Sequence, residues 1–472
     1  MNRSLSRRPL HERVTFVAGL GFGANGVTLG VVSFALLGLR RDWGLTPAQA
    51  GFLTAAIGAG QLLGGIATGY VADGIGRRAA FGLTVGTSSL AAALAAAAPS
   101  LGWLIAATLL MGIGFGGVAP VATSLISEFA PPDRRGALLG WTQVLWGTGW
   151  LAAGVGGVAL AHTLGWRGTF AIGALPLALA LAGPRLIPES PRFLLAHGRR
   201  REAEAVVASL QARYGIMLDL PDQEQAARVT MIAHLRELWS PRFRRRTFLL
   251  WSVWFMMIGA FQGPIVWIPA MFQAAGMGHP AEASLVVAVM MLPPTIAATF
   301  TLDRLGRKPV LAAALGLAAF GTIELAVART EAAFVLGGGA LAGGVLASWP
   351  VILAYAGELY PTRIRATATG WGSAAGRGAG IVTPLMLAAL MHTWNGGRTQ
   401  ALAIVAAALV LAVGIVLVFG EETAGRGLEE IAEHRPETGP RGGLEPVPVS
   451  IRSREARVTA AAPPDAPGDN VS

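Results

Sequence analysis

Apolar residues fall along this chain in long blocks rather than in the one-sided rhythm of a soluble helix. The blocks lie at 14–39, 48–72, 79–98, 102–127, 137–161 and 169–187, and then at 247–275, 281–302, 310–328, 332–356, 366–391 and 399–419. Each is near the roughly 20 residues needed to cross bilayer hydrocarbon as a helix. A backbone in lipid must satisfy its own hydrogen bonds, and a helix does so within one segment. The pattern predicts an all-α membrane fold of twelve transmembrane helices. A cleaved signal peptide has a short apolar core, whereas the block at 14–39 spans a bilayer outright, so it reads as a permanent first helix.

Polar stretches divide the blocks. Residues 1–13 form an N-terminal segment, 14–187 a first six-helix bundle, 188–246 a linker, 247–419 a second bundle and 420–472 a tail. In the linker, RRREAEAVVASLQARYG from Arg199 has apolar residues at helical spacing and predicts an amphipathic helix at the membrane surface. It serves either as a plain connector or in gating. The tail beyond His434 is rich in Pro, Gly and Arg, a composition expected to be disordered.

Composition agrees with the blocks. Charged residues make up 14% of 472, against roughly a quarter in a soluble domain, so most of the chain avoids water. The net charge of +10 would suggest nucleic acid if it were spread evenly. It is not. With the N-terminus inside, the outer connections hold Arg40, Arg41, Arg167, Arg329 and Arg398, and Arg377 lies within a helix. Taking those six from 37 Lys plus Arg leaves 31 on the cytoplasmic side. This asymmetry predicts cytoplasmic termini and no nucleic-acid partner. Lys308 is the only lysine, a bias of GC-rich bacterial genomes, and the expected location is a bacterial inner (plasma) membrane. With no Cys, disulfides and cysteine-ligated metals are excluded, and no cofactor is expected.

Two motifs recur at one offset. GYVADGIGRRAA holds Asp73, Arg77 and Arg78, and TFTLDRLGRKPV holds Asp303, Arg307 and Lys308, with 303 − 73 = 230. SEFAPPDRRGALLGW holds Glu128 and Arg135, and GELYPTRIRATATGW holds Glu358 and Arg365, with 358 − 128 = 230. A shared offset over two motifs marks a duplicated six-helix unit, hence two pseudo-symmetric bundles, and such repeats frame a central site in secondary transporters. The ten charged residues fall just outside the hydrocarbon, where ion pairs are stronger than in open water. Pairs that exist in only one arrangement of the halves would act as a cytoplasmic latch. The plainer reading is positive-inside charge with helix termination.

At these residues the sequence resembles the major facilitator superfamily, whose signature is D-x-x-G-R-[RK] after the second and eighth helices. PESPRFLLAHGR from Pro188 and GEETAGRGLEEI from Gly420 are similar to the ends of the sixth and twelfth helices in its sugar-porter and organic-ion branches. YAGELYPTRIRATATG from Tyr355 resembles the synaptic-vesicle-related and bacterial niacin or aromatic-acid porters. The resemblance implies alternating-access transport of a small organic solute by a monomer, with protons as a candidate coupling ion. Two departures matter. Sugar porters carry Gln-Gln and a following Asn in the seventh helix, where IGAFQGPIVWIP has Gln262 alone, which argues against hexose. Proton-coupled relatives often carry Asp in the first helix, where Asn25 stands and cannot titrate.

Arg377 is the clearest pathway candidate. It lies eleven residues past Ala366, roughly 16 Å along a helix and so near mid-membrane. A guanidinium stays charged and holds a carboxylate through two bonds, which points to an anionic or aromatic acid; a structural Arg satisfied by backbone carbonyls is the plainer reading. Asn25, Gln143, Trp146, Gln262 and Trp267 complete the predicted substrate-binding set, with Gln61, Trp254 and Tyr355 as further candidates. Trp103, Trp166 and Trp394, near helix ends, read as interfacial anchors. Glu324 reads as a peripheral carboxylate near Arg329. Gly60, Gly64, Gly112 and Gly116 read as helix packing. The sequence shows no metal cluster and no nucleophile with its base, so no enzyme is expected. Competing readings are a facilitated-diffusion or efflux carrier for a neutral compound or sugar, and a non-transporting solute sensor.

Overall fold

The structure is a computed structural model that describes residues 10–129, 135–160, 163–214, 231–391, 393–394 and 396–424. The expected disordered tail and the turn at 130–134 lie outside the described residues. Helices stand at every predicted block. The first five spans are Leu10–Trp43, Pro47–Ile75, Arg77–Ala96, Leu101–Phe129 and Arg135–Leu160, and the sixth is made of Gly165–Ile172 and Leu177–Leu186. The seventh runs through Arg244–Ala260, a π turn at Phe261–Ile265, and Val266–Ala274; the eighth through Pro280–Met290 and Leu292–Leu305. The last four are Arg307–Val327, Glu331–Glu358, Thr362–Leu390 and Arg398–Phe419. Among the described residues, eleven spans are long and apolar enough to cross a membrane; the fifth is not counted with them.

Several helices outrun their apolar blocks, because a backbone that has begun to coil keeps its bonds into the interfacial region. The seventh departs most from expectation. Its single apolar run is broken where Pro264, which has no N–H to give, sits in the π turn with Gln262. In the linker, the amphipathic stretch forms Arg200–Tyr214, and its Ala203 is buried against Phe193 and Leu194 of the short helix Pro191–Ala196.

The duplication is visible in the packing. In the first half the first span pairs with the fifth, the second with the fourth, and the third with the fourth and sixth. In the second half the seventh pairs with the eleventh, the eighth with the tenth, and the ninth with the tenth and twelfth. The second and fourth spans meet through Gly60, Gly64, Gly112 and Gly116; a Cβ at any of them would strike the facing backbone. Lipid offers apolar side chains no gain from burial, so close backbone approach holds such pairs together. Outward-facing side chains are apolar, with Val418 at 74% and Leu175 at 71% exposed. The halves touch where the second span meets the eleventh, the fifth meets the eighth, and the first meets the outer part of the seventh. The end carrying the arginine-rich connections is called the basic face below.

Candidate solute-binding site and gates

At the basic face the two repeats build the same cluster. Only Gly76 separates the second span from the third, and only Gly306 the eighth from the ninth. Arg77 pairs with Asp73 at 3.0 Å, and Arg307 with Asp303 at 2.9 Å. Arg307 also holds Glu358 through two bonds of 3.0 and 2.8 Å. Two carboxylates that the spacing did not single out complete the clusters. The backbone N–H groups of Arg77 and Arg78 donate to Glu189 at 2.9 and 3.2 Å; those of Arg307 and Lys308 donate to Glu422 at 2.9 and 3.2 Å. Each carboxylate thus caps a helix N-terminus, where free N–H groups and the helix dipole favour negative charge. Burial pushes the Glu422 pKa up, but backbone donors from Ala424, Arg307, Lys308 and Thr423 outweigh it and the net shift is down. Gly76 and Gly306 have φ of +94° and +96°, and a Cβ at either would strike Glu189 or Glu422.

The neighbours repeat as well. Ser190 donates to Glu128, and Thr423 donates to Glu358 at 2.5 Å. Arg13 donates to Leu186 O at 3.0 Å, tying the first span to the end of the sixth, and Arg246 binds Glu421 at 2.6 Å beyond the twelfth. The offsets are 422 − 189 = 233 and 246 − 13 = 233, three residues more than the motifs of the sequence analysis, because the second repeat is three residues shorter before its first motif and three longer after its second. Arg365 donates to Tyr360 O at 3.2 Å, Arg78 is exposed, and the Arg135 side chain lies outside the described residues. Every pair named here joins segments of one half.

Contacts between the halves form a ladder along the second span. At the end away from the basic face, Trp394 Nε1 donates to Leu45 O at 2.9 Å, Arg40 to Ala270 O at 3.1 Å, and Trp267 Nε1 to Thr54 Oγ1 at 3.3 Å. The Trp267 and Trp394 rings lie 5.3 Å apart. Further in, Gly58 meets Gly380, Gln262 Nε2 donates to Gln61 Oε1 at 2.9 Å, and Gly65 makes room for Arg377, whose guanidinium a Cβ there would strike. Past this rung the seam opens: nothing described stands within 4 Å of a Cβ built at Gly69, Gly74 or Gly370. The outer end is shut, and the second and eleventh spans part toward the basic face, while the fifth and eighth still meet there at Gly140 with Thr299 and at Trp141 with Phe300.

Arg377 is the lowest rung. It is half-buried and donates from Nη2 to Gly116 O at 3.1 Å. Gly116 would ordinarily bond the N–H four residues on, which is Pro120 and has none. The guanidinium therefore satisfies a carbonyl that the fourth span leaves orphaned. Asn25 donates to the preceding carbonyl, Phe115 O, at 3.1 Å, so the first and eleventh spans converge on one turn of the fourth. No acidic side chain pairs with Arg377 among the described residues.

The other candidates fall in different places. Trp146 forms a cluster with Trp150 and Phe261, ring centroids 5.2–5.6 Å apart. Gln143, buried, is 3.4 Å from Thr142 Oγ1. Trp267 is fully buried in the outer seam, and Trp394 joins it there rather than serving as an interfacial anchor. Trp166 is likewise buried, against Trp43, while Trp103 is exposed as an anchor would be. Trp254 packs on Gly372 and Gly376 within the second half, and Tyr355 donates to Glu421 O at the basic face, away from the pathway. Glu324 is half-buried against Gly337.

Residues 16–434 match the family described as Sugar (and other) transporter. The chain belongs to that family. As a major facilitator superfamily transporter it is a multi-pass membrane protein that moves a small solute and is not an enzyme. It is 33% identical over 424 residues to the niacin transporter NiaP of Acinetobacter baylyi, covering 89% of this chain and 96% of that protein. It is 28% identical over 426 residues to the putative niacin/nicotinamide transporter NiaP of Bacillus subtilis, covering 90% and 99%. Among solved structures it shares the fold of the inward-open xylose transporter XylE of E. coli, with a TM-score of 0.71 at 22% identity over 89% of this chain and 99% of that one. Within the transporter, the charged clusters brace each half and the ladder joins the two.

Proposed function

We propose that this transporter carries a small aromatic acid across a bacterial plasma membrane by alternating access, with both termini in the cytoplasm and the solute carboxylate held by Arg377. One observation carries the reading. A permanently charged guanidinium sits at the innermost rung between the halves, with a backbone carbonyl as partner and no carboxylate among the described residues. A neutral carbonyl compensates a half-buried cation poorly, and a solute carboxylate offers two charge-assisted bonds instead. The Trp146, Trp150 and Phe261 rings, on the fifth and seventh spans, supply aromatic surface between the halves. The relatives named as niacin transporters point the same way, since niacin is a pyridine carboxylate.

In this reading the structure is the inward-open state. The outer seam of Arg40, Thr54, Trp267 and Trp394 is the closed gate. The basic-face clusters are the other gate: Asp73 and Asp303, 74% and 72% exposed, are the carboxylates placed to reach the opposite half when that end closes. With Asn25 at its middle, the first span carries no titratable acid between Arg13 and Arg41, so a proton, as coupling ion, travels by another route.

The test is uptake into proteoliposomes of labelled pyridine-3-carboxylate, benzoate, a hexose and an organic cation, with and without an inward proton gradient. Wild type is expected to take up the carboxylates, and Arg377→Ala to lose them while eluting as a monodisperse peak. Stimulation by the gradient identifies symport, and equal uptake without it identifies uniport. Transport of hexose or cation alone, unaffected by Arg377→Ala, would overturn the substrate class.

A further inference from the structure

The seventh span starts at Arg244, and Arg244, Phe248, Trp251 and Phe255 fall within roughly 60° of one another around its first helix, at 3.6 residues per turn. Arg244 and Arg245 are exposed, and their side chains have no ion pair or hydrogen bond among the described residues. Phe248 and Phe255 are exposed as well. The seventh span packs on the eleventh and the twelfth, and rings from both border the face between them. Trp371 of the eleventh stacks 6.4 Å from Trp251, which also meets Trp239 of the linker at 5.5 Å. Phe419 of the twelfth stands 5.7 Å from Phe248. From Arg244 to Phe255 the helix advances 255 − 244 = 11 residues. That is roughly 16 Å, about one leaflet of a roughly 30 Å hydrocarbon core. The duplication shows that this face is no by-product of the fold. At the offset of 233 that relates Arg13 to Arg246, its positions correspond to His11, Thr15, Ala18 and Phe22, and Arg245 corresponds to Glu12. Ala18 and Phe22 are buried, so the first repeat covers the matching face. The general bias toward cations at the cytoplasmic end counts total charge, and does not ask for a column of rings beneath two of them.

We propose that this face binds one anionic phospholipid of the leaflet at the basic face, with its phosphate on Arg244 and Arg245 and an acyl chain along Phe248 and Phe255, between the eleventh and twelfth spans. Guanidinium groups hold phosphate oxygens through paired, charge-assisted bonds. The free N–H groups and dipole of the helix start add positive potential at the same place. Glu421, the acid that reaches this helix start, is held by Arg246 at 2.6 Å and leaves the other two arginines to the headgroup. A zwitterionic headgroup brings its own ammonium against the arginines, and an anionic one does not, which is the ground of selectivity. Phe248 and Phe255 give the chain an apolar track that a free phosphate cannot use. The face lies on the lipid side of the seventh span, so the site stands whatever solute Arg377 holds.

The test is native mass spectrometry of the full chain in neutral detergent with equal phosphatidylglycerol and phosphatidylethanolamine. Wild type is expected to retain one phosphatidylglycerol in preference by roughly twentyfold, since each arginine at an anionic headgroup is worth roughly fivefold in affinity. Arg244→Gln/Arg245→Gln is expected to lose the preference, and either single variant, milder to the fold, to lose roughly fivefold. Arg200→Gln/Arg201→Gln removes as much exposed charge from the linker helix and is expected to change nothing. Inorganic phosphate in tenfold excess over the lipid is expected not to displace it. A wild type without preference, single variants that keep the full preference, or a linker variant that loses as much would overturn the site. Displacement by phosphate would show an anion site with no role for the acyl chain, and would overturn the lipid.

Discussion

Arg377 can be tested against its own surroundings. Arg377→Lys keeps the charge but not the planar fork, and uptake of a carboxylate is expected to fall by about two orders of magnitude, near the 2–5 kcal/mol of a buried charge-pair truncation. Pro120→Ala gives the fourth span back an N–H for Gly116 O. That N–H competes with the guanidinium and releases it, so carboxylate affinity in calorimetry is expected to rise by roughly fivefold, the worth of about 1 kcal/mol. An unchanged affinity would mean the Gly116 bond does not oppose solute binding. Gly65→Ala drives a Cβ into the guanidinium, and transport is expected to fail with the fold intact.

At the scale of the element, the single-residue connections at Gly76 and Gly306 combine a left-handed backbone with a capping carboxylate at the next helix. Gly306→Ala strains both, and its unfolding midpoint in detergent is expected to fall by more than that of Gly316→Ala, where a Cβ meets nothing. Glu422 carries a pH signature. Its pKa is lowered by folding, so the stability it contributes is present above the ordinary carboxylate value of 4.5 and is lost as pH falls through the depressed one. Glu422→Gln is expected to lower the midpoint at neutral pH, and the gap to wild type to close in acid. A gap independent of pH would show the cap works by shape alone.

Across the whole molecule, alternating access requires the outer seam to part while the basic end closes. The chain has no cysteine, so introduced pairs report cleanly. A Cβ at Gly51 would stand 2.5 Å from that of Ala388, and a widening of about 1 Å reaches disulfide geometry. Gly51→Cys/Ala388→Cys is expected to cross-link on oxidation and to block uptake until reduced. Gly69→Cys/Gly370→Cys, at the parted end, is expected to resist cross-linking in this state. Cross-linking at both ends with transport intact would refute rocking of the halves about the central rungs.

The twelve spans and the doubling were legible from the chain itself. Apolar length decides what lipid accepts, and the constant offset of 230 between motifs needs no folding to be seen. Arg377 was legible too, since a charge in an apolar run is conspicuous in any fold. Its partner was not: nothing in the spacing of Pro120 and Arg377 says that a proline on the fourth span would orphan a carbonyl facing the eleventh. Glu189 and Glu422 read as ordinary charges after helix ends, and their role appears only where each meets a helix N-terminus more than a hundred residues away in sequence. Trp394 read as an anchor because it lies near a helix end; packing against Trp267 instead placed it in the seam between the halves. The hydrophobic pattern is a property of each segment against lipid, so sequence determined it. Which polar groups meet depends on how the two halves are docked, and only the tertiary structure decided that.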